Sequence, residues 1–137
     1  MESILADLQL NSERLYSDKK FKEVEGMFTT FLKEAENEPE KLRGQALNDR
    51  GHAKYMQVDF TSALKDYDQA IQLCPSLAIA YYNRATIKYR MGHFKDAITD
   101  FKVAVDKCPD NEEYRKGLEE CEKEEKSPAL SSRLFMI

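Results

Sequence analysis

Two histidines and three cysteines head the short inventory of side chains here that could do chemistry. His52 has no second histidine, nucleophile or metal-ligand spacing around it. General-base or ligand chemistry would lack its partners there, and a place on a helix face fits the residue better. His93 follows Gly92 and belongs to an exposed turn. Cys74, Cys108 and Cys121 make an odd count without zinc spacing. Cys74 and Cys108 each precede a proline at equivalent places of a repeat, which puts them about a repeat apart and too far for a disulfide. All three are expected as small buried or half-buried thiols in a reducing compartment. Cys121 has Lys123 and Lys126 close by, which would activate a thiol, but its helical spacing with Tyr114 and Leu118 reads as packing. No Gly-rich phosphate loop or catalytic motif occurs. The expectation is therefore no enzyme, no cofactor and no metal. The charge run over residues 119–126 reads as a solvated helix end.

The 137 residues leave room for one domain. Apolar residues make up 42%, enough for a core, yet no run approaches the roughly 18 residues of a membrane span. A net charge of −4 without a basic stripe argues against nucleic acid as the partner. No basic segment followed by an apolar stretch marks a secretory leader, so the default location is cytoplasmic.

The elements that must position any site are copies of one unit. Residues 44–77 written above 78–111, without a gap, agree at ten of 34 positions. These are Ala46/Ala80, Arg50/Arg84, Lys54/Lys88, Tyr55/Tyr89, Phe60/Phe94, Ala63/Ala97, Asp66/Asp100, Ala70/Ala104, Cys74/Cys108 and Pro75/Pro109. Self-similarity at such a period signals stacked repeats. Apolar spacing predicts helices over 4–17, 20–36, 39–57, 60–73, 77–91 and 94–107. A seventh opens at Pro109-Asp110, with Asp110 as cap and Glu113 completing a capping box. Ser3, Asp59 and Ser76 are expected to cap the first, fourth and fifth. Pro39 suits the first turn of the third, and Gly92 suits a left-handed helix end. Within a pair, small residues on the first helix (Gly51, Ala85) are expected to face Ala63 and Ala97 on the second, letting the axes approach closely. Phe60 and Phe94 plug the turn between the two helices. Ala70 and Ala104 make room for the next pair.

The motif Asn83-Arg84-Ala85, Tyr89, Gly92, Phe94, Ala97, Asp100-Phe101, Ala104, Pro109, with its second copy from Asp49-Arg50-Gly51 to Pro75, resembles the tetratricopeptide repeat (TPR). Residues 5–38 resemble a degenerate copy, with Val24 and Phe31 where the pattern has alanine and about five extra residues before the next copy. The resemblance implies an all-α fold, a TPR-type right-handed superhelix of three antiparallel helix pairs plus a C-terminal capping helix. Its organisation would be one domain over 1–126, with repeats at 5–38, 44–77 and 78–111, a cap at 112–126 and a flexible apolar tail at 127–137.

The family's concave face is lined by the first helix of each pair. Carried over residue by residue, a peptide groove would be lined by Tyr16, then Asn48, His52 and Tyr55, then Tyr82, Asn83, Thr86, Tyr89 and Arg90. Around them stand Gln9, Glu13, Asp49, Met56, Glu113, Lys116 and Glu120. Amides can fix a peptide backbone, and tyrosines offer rigid amphipathic contact area. The family's carboxylate clamp for heat-shock chaperones (Hsp70/Hsp90) needs lysines, asparagines and an arginine at set places. Asn83 matches one asparagine. With the first copy leading, Gln9 and Glu13 stand where lysine and asparagine belong, and one copy on Asn48, His52 and Asp49 also fail to match. Glu113 and Gly117 fall at the remaining cationic places, so that clamp is not expected.

The resulting expectation is a non-enzymatic interaction module or adaptor with a protein or peptide partner, and with neither nucleic acid nor membrane. One alternative is a structural scaffold that self-associates, including through the C-terminal tail. Leu134-Phe135-Met136-Ile137 would then lie in the groove of its own or a neighbouring chain. A co-chaperone is the other alternative.

Overall fold

The computed structural model describes residues 1–127 and forms them into α1 (Glu2–Ser17), α2 (Phe21–Glu34), α3 (Glu40–Met56), α4 (Phe60–Leu73), α5 (Ala78–Arg90), α6 (Phe94–Lys107) and α7 (Glu112–Glu125). No strand occurs among the described residues. The helices are antiparallel hairpins, and the described residues are all-α, as expected. The expectations for the apolar tail concern residues 128–137, which lie outside the described residues.

Two compact units divide the chain, Met1–Ala80 and the part from Tyr81 onward. The first holds α1 to α4. In it Leu5, Val24, Phe28, Phe31, Ala35, Leu42, Ala46 and Ala53 form one buried cluster, while Leu47, Ala70 and Ala80 form another. Val24, Phe28 and Phe31 fall on one face of α2 because an α-helix returns every three to four residues. Val24 and Phe31 occupy the places that alanines hold in the later copies, so the first hairpin fills its core with bulk where α4 uses Ala63 and Ala70. Each such buried side chain stabilises the fold by about 1.5–3 kcal/mol. In the second unit Ala85, Ala97, Phe101 and Cys121 form the core, with Tyr82, Tyr89, Phe94, Ile98 and Leu118 against it.

The hairpin turns are three versions of one device. The N–H of Lys20, Asp59 and His93 donates to the carbonyl of Leu15, Lys54 and Lys88, at 2.8, 3.0 and 2.8 Å. The residue before each, Lys19, Val58 or Gly92, donates to Tyr16, Tyr55 or Tyr89. This pair of bonds is the Schellman helix end, which requires a left-handed residue. The φ angles are 59° at Lys19, 61° at Val58 and 81° at Gly92. Sequence inspection finds only the glycine, because a valine advertises nothing of the kind.

Each later hairpin is also pinned by a buried carboxylate. Asp66 of α4 accepts from Arg50 Nε and Nη2 of α3, both at 2.8 Å, and pairs with Lys54 Nζ at 3.0 Å. Asp100 of α6 repeats this with Arg84 of α5, both at 2.8 Å, and Lys88 at 2.9 Å. Both aspartates are only 3% exposed. Arg84 and Lys88, with burial working against them, hold the Asp100 carboxyl below its usual range.

Several helix boundaries differ from expectation. α1 starts at Glu2, so Ser3 lies inside its first turn, and Met1 supplies the cap carbonyl to Leu5. Pro39 is the cap of α3 rather than its first residue, with its carbonyl taking Leu42 and Arg43. α5 begins at Ala78, and the Ser76 hydroxyl lies 3.6 Å from the Cys74 sulfur. α7 begins at Glu112, capped by Asn111, whose side chain accepts from Tyr114 N at 3.1 Å. Cys108–Asn111 is taken up by a turn, with Asn111 N bonded to the Cys108 carbonyl, so Asp110 sits too early to cap and the Glu113 box does not form. Asp59 caps α4 through Ser62 N, as its type suggested.

The small-residue contact also differs. A Cβ on Gly51 would stand 2.7 Å from Tyr67 Cε1 and 3.2 Å from Asp66 Cβ, so Gly51 makes room for the Tyr67 ring rather than for Ala63.

Candidate functional site

In the first unit, residues of α1 and α3 converge on one face. Gln9 Nε2 donates to Asp49 Oδ2 at 2.8 Å, tying the two helices together. The Tyr16 ring packs on His52 at 5.3 Å between centroids, and His52 stacks on Tyr55 at 6.1 Å. Tyr16 and Tyr55 also lean on the phenylalanines of their own turns, Phe21 at 5.9 Å and Phe60 at 5.6 Å. Asn48 is 6% exposed and hydrogen-bonds the Asp49 side chain, so its amide serves the face from beneath rather than at the surface. His52, Tyr55 and Tyr16 are half-buried, and Met56 is exposed. Burial raises the Asp49 carboxyl to about 6, against the hydrogen bonds from Gln9 and Asn48. Burial lowers His52, and burial followed by the Asp49 charge raises Tyr16.

In the second unit the expected residues lie on α5, and Tyr82 and Tyr89 turn to α7. Tyr82 stacks on Tyr114 of α7 at 4.9 Å, and its hydroxyl donates to Glu113 Oε1 at 3.1 Å. Burial, then the Glu113 charge and hydrogen bond, push the phenol up to about 12. Tyr89 packs on Phe94 at 5.6 Å and hydrogen-bonds Glu124. Asn83 and Thr86 are half-buried, with Thr86 Oγ1 donating to the Tyr82 carbonyl, and Arg90 is exposed. A Cβ on Gly117 would come within 2.8 Å of Phe101, so this place of α7 is committed to packing.

Asp49, expected only beside the groove residues, anchors the first face, and Glu124, which no spacing marks, is a partner of Tyr89. The available signal for Asp49 was its helical spacing with His52. The cysteines are free thiols. Cys74 and Cys121 are buried, whereas Cys108 is exposed and corrects the expectation of burial, because its place at the end of α6 opens on the Pro109 turn. Burial, with the Glu124, Glu122 and Glu125 charges, raises Cys121 to about 11, and its Sγ lies 3.5 Å from the Phe94 carbonyl. Such a thiol is inert. Among the described residues no group of three or more His, Cys, Asp or Glu could hold a metal ion. No helix among them is long and apolar enough to cross a membrane.

Repeated hairpins with small residues at their crossings, ion-paired aspartates and a one-sided α7 define a helical-repeat fold of the TPR type. The family profile described as TPR repeat matches residues 51–92, and that described as Tetratricopeptide repeat matches residues 78–111. Residues 51–111 therefore match tetratricopeptide-repeat profiles, and the hairpin fold is of the TPR type. It is 34% identical over 56 residues to the Hsp70-Hsp90 organising protein of Plasmodium falciparum (isolate 3D7), a match covering 41% of this chain and 10% of that protein. The chain thus spans about a tenth of the length of this curated relative. Among solved structures, the first TPR of Spaghetti (RPAP3) bound to HSP90 peptide SRMEEVD superposes with a TM-score of 0.77 at 19% identity, covering 91% of this chain and 98% of that one. The Arabidopsis OM64 TPR domain gives 0.72 at 20% identity, covering 90% and 97%. The yeast Sti1 TPR2B domain in complex with pHsp70 gives 0.72 at 16%, covering 88% and 98%. At these identities the likeness is one of fold.

Proposed function

We propose that residues 1–126 act as a non-enzymatic interaction module that binds a peptide or helix on the faces lined by the first helix of each hairpin. The observation that carries this reading is the convergence of Gln9, Tyr16, Asp49 and His52, from α1 and α3, on one face of the first unit. Amide groups suited to a peptide backbone stand there beside rigid aromatic rings, the composition that recognition surfaces favour. In the second unit Asn83, Thr86 and Arg90 lie on the equivalent helix, α5. Three free thiols suit a reducing compartment, which favours a cytosolic setting. At finer grain, Asn48-Asp49-Arg50-Gly51, Lys54-Tyr55, Val58-Asp59-Phe60 and Tyr81-Tyr82-Asn83-Arg84 resemble tetratricopeptide repeat protein 32, a likeness that brings no defined activity with it.

Peptide-library selection on the whole chain tests the module. Bound peptides should shift the amide signals of Gln9, Asp49 and His52, and His52→Ala with Met56→Glu should abolish retention without lowering Tm by more than about 1–2 °C. A concentration-dependent dimer, with no peptide retained, would favour the self-associating scaffold instead. The co-chaperone reading draws on what the similar structures bind, the peptide SRMEEVD for one. Against it stands the pairing of Glu113 with Tyr82, and of Gly117 with Phe101, at places where the clamp needs cations. Low-micromolar binding of SRMEEVD, lost on Asn83→Ala, would restore that reading.

A further inference from the structure

Three partly or fully buried aspartates allow a comparison that the proposed module leaves unused. Asp66 and Asp100 each hold one arginine and one lysine. Asp49 holds amides only: Gln9 and Asn48 are its hydrogen-bond partners, and no cation is paired with it among the described residues. Three cations of its own helix are directed elsewhere. Arg50 and Lys54 go to Asp66, and Arg43 Nε donates to the Glu38 carbonyl. Amide donors orient a carboxylate but leave its charge uncompensated, and a desolvated charge without a counter-ion is costly. Glu13 stands one helical turn from Gln9 and is exposed. Beside these carboxylates the Tyr16, His52 and Tyr55 rings form a row. Burial favours the neutral His52 imidazole, so it adds a ring face and not a competing cation.

We infer that the face of α1 and α3 takes a peptide bearing a lysine or arginine, with its cation on the Asp49 carboxylate and its stem along the Tyr16 and His52 rings. The inference rests on the peptide-binding reading above and gives the partner its charge. A cation over an aromatic face gains energy from the ring quadrupole, and more when water is excluded. A carboxylate ligand at the same place would meet the Asp49 charge at short range and be repelled.

The test uses the whole isotope-labelled chain with two short synthetic peptides, one alternating Arg and Ala, the other with Glu in place of each Arg. The Arg peptide should shift the signals of Gln9, Asp49 and His52. Asp49→Asn should weaken it at least about tenfold, since a charge-assisted contact is lost. Glu13→Gln, at an exposed position, should weaken it about threefold. Glu36→Gln, the same charge change in the segment between α2 and α3, should alter it by less than about twofold. Equal binding of the Glu peptide at these signals, or no effect of Asp49→Asn and Glu13→Gln, overturns the cationic partner and leaves the peptide module standing. If neither these nor any library peptide shifts α1 and α3, the module itself falls, and this inference with it.

Discussion

The first and second units use the same carboxylate lock and make room for the ring beside it in different ways. In the first, Tyr67 of α4 lies against Gly51 of α3, where a Cβ would be 2.7 Å from the ring. In the second, Phe101 of α6 shares its cluster with Ala85, the residue aligned with Gly51, and it is Gly117 of α7 that makes room for the ring. The hairpin of α5 and α6 therefore tolerates a methyl that the hairpin of α3 and α4 does not. The lesson is that a repeat constrains a pair of positions jointly. What is kept is the space for a ring, and the glycine can come from the preceding helix or from the following one.

The largest expected effect comes from the lock itself. Asp66→Ala strands Arg50 and Lys54, which are 19% and 12% exposed, and should cost about 3 kcal/mol in urea unfolding. Asp100→Ala should cost less, because Lys88 is 26% exposed and can recover water. An equal loss at both would erase the difference. Next, Gly51→Ala should cost about 2 kcal/mol, since the Tyr67 ring is 1% exposed and has nowhere to move. Ala85→Gly should cost only about 1 kcal/mol, through helix propensity. Should Gly51→Ala prove neutral, the steric account of the first unit is wrong.

A smaller effect separates Asp49 from Asp100 by pH. The Asp49 carboxyl is raised by burial to about 6 in the fold, above the ordinary aspartate range. The folded state therefore binds its proton more tightly, and Asp49 adds stability as pH falls through about 6 towards the ordinary value, on the order of 1 kcal/mol. Asp100 is lowered, so its contribution is present above the ordinary carboxylate range and is lost as pH falls through its folded value. His52, lowered by burial, opposes Asp49 as it charges, so the measurement is the difference in stability between the wild-type chain and Asp49→Asn from pH 7 to about pH 4. A difference that stays flat over this range would remove the case for a desolvated Asp49.

The smallest effect concerns the turns. Val58 is 69% exposed at φ 61°, a conformation that costs a β-branched residue on the order of 1 kcal/mol. Val58→Gly should stabilise the first unit by about that amount, and Gly92→Val should weaken the second by a similar one. Thermal unfolding of the two variants checks both signs.

The helices were legible because apolar residues recur at helical spacing, and α4 and α6 were legible to the residue because Asp59 or Gly92 opens each one and a Cys-Pro step closes it. Arg50, Lys54 and Asp66 were visible as identities with Arg84, Lys88 and Asp100, but their meaning as a lock was not. A pairing across two helices depends on how they are rotated about their axes, and spacing along one chain leaves that open. The left-handed turns at Lys19 and Val58 were hidden for a related reason: the backbone there is imposed by the hydrogen bonds on either side against the preference of the residue.

For the candidate faces, the residue types of Tyr16, His52 and Tyr55 and their place on first helices could be read directly. Which of them remain at a surface could not. Spacing along the chain specifies the period, the helix faces and the aspartates in register. Tertiary structure alone decided that Tyr82 and Tyr89 spend their hydroxyls on α7, that Asn48 lies buried, and that Asp49 meets amides where its two counterparts meet cations. The physical reason is that burial and pairing are properties of neighbours brought from other helices, and their free energies exceed the local preferences that a sequence displays.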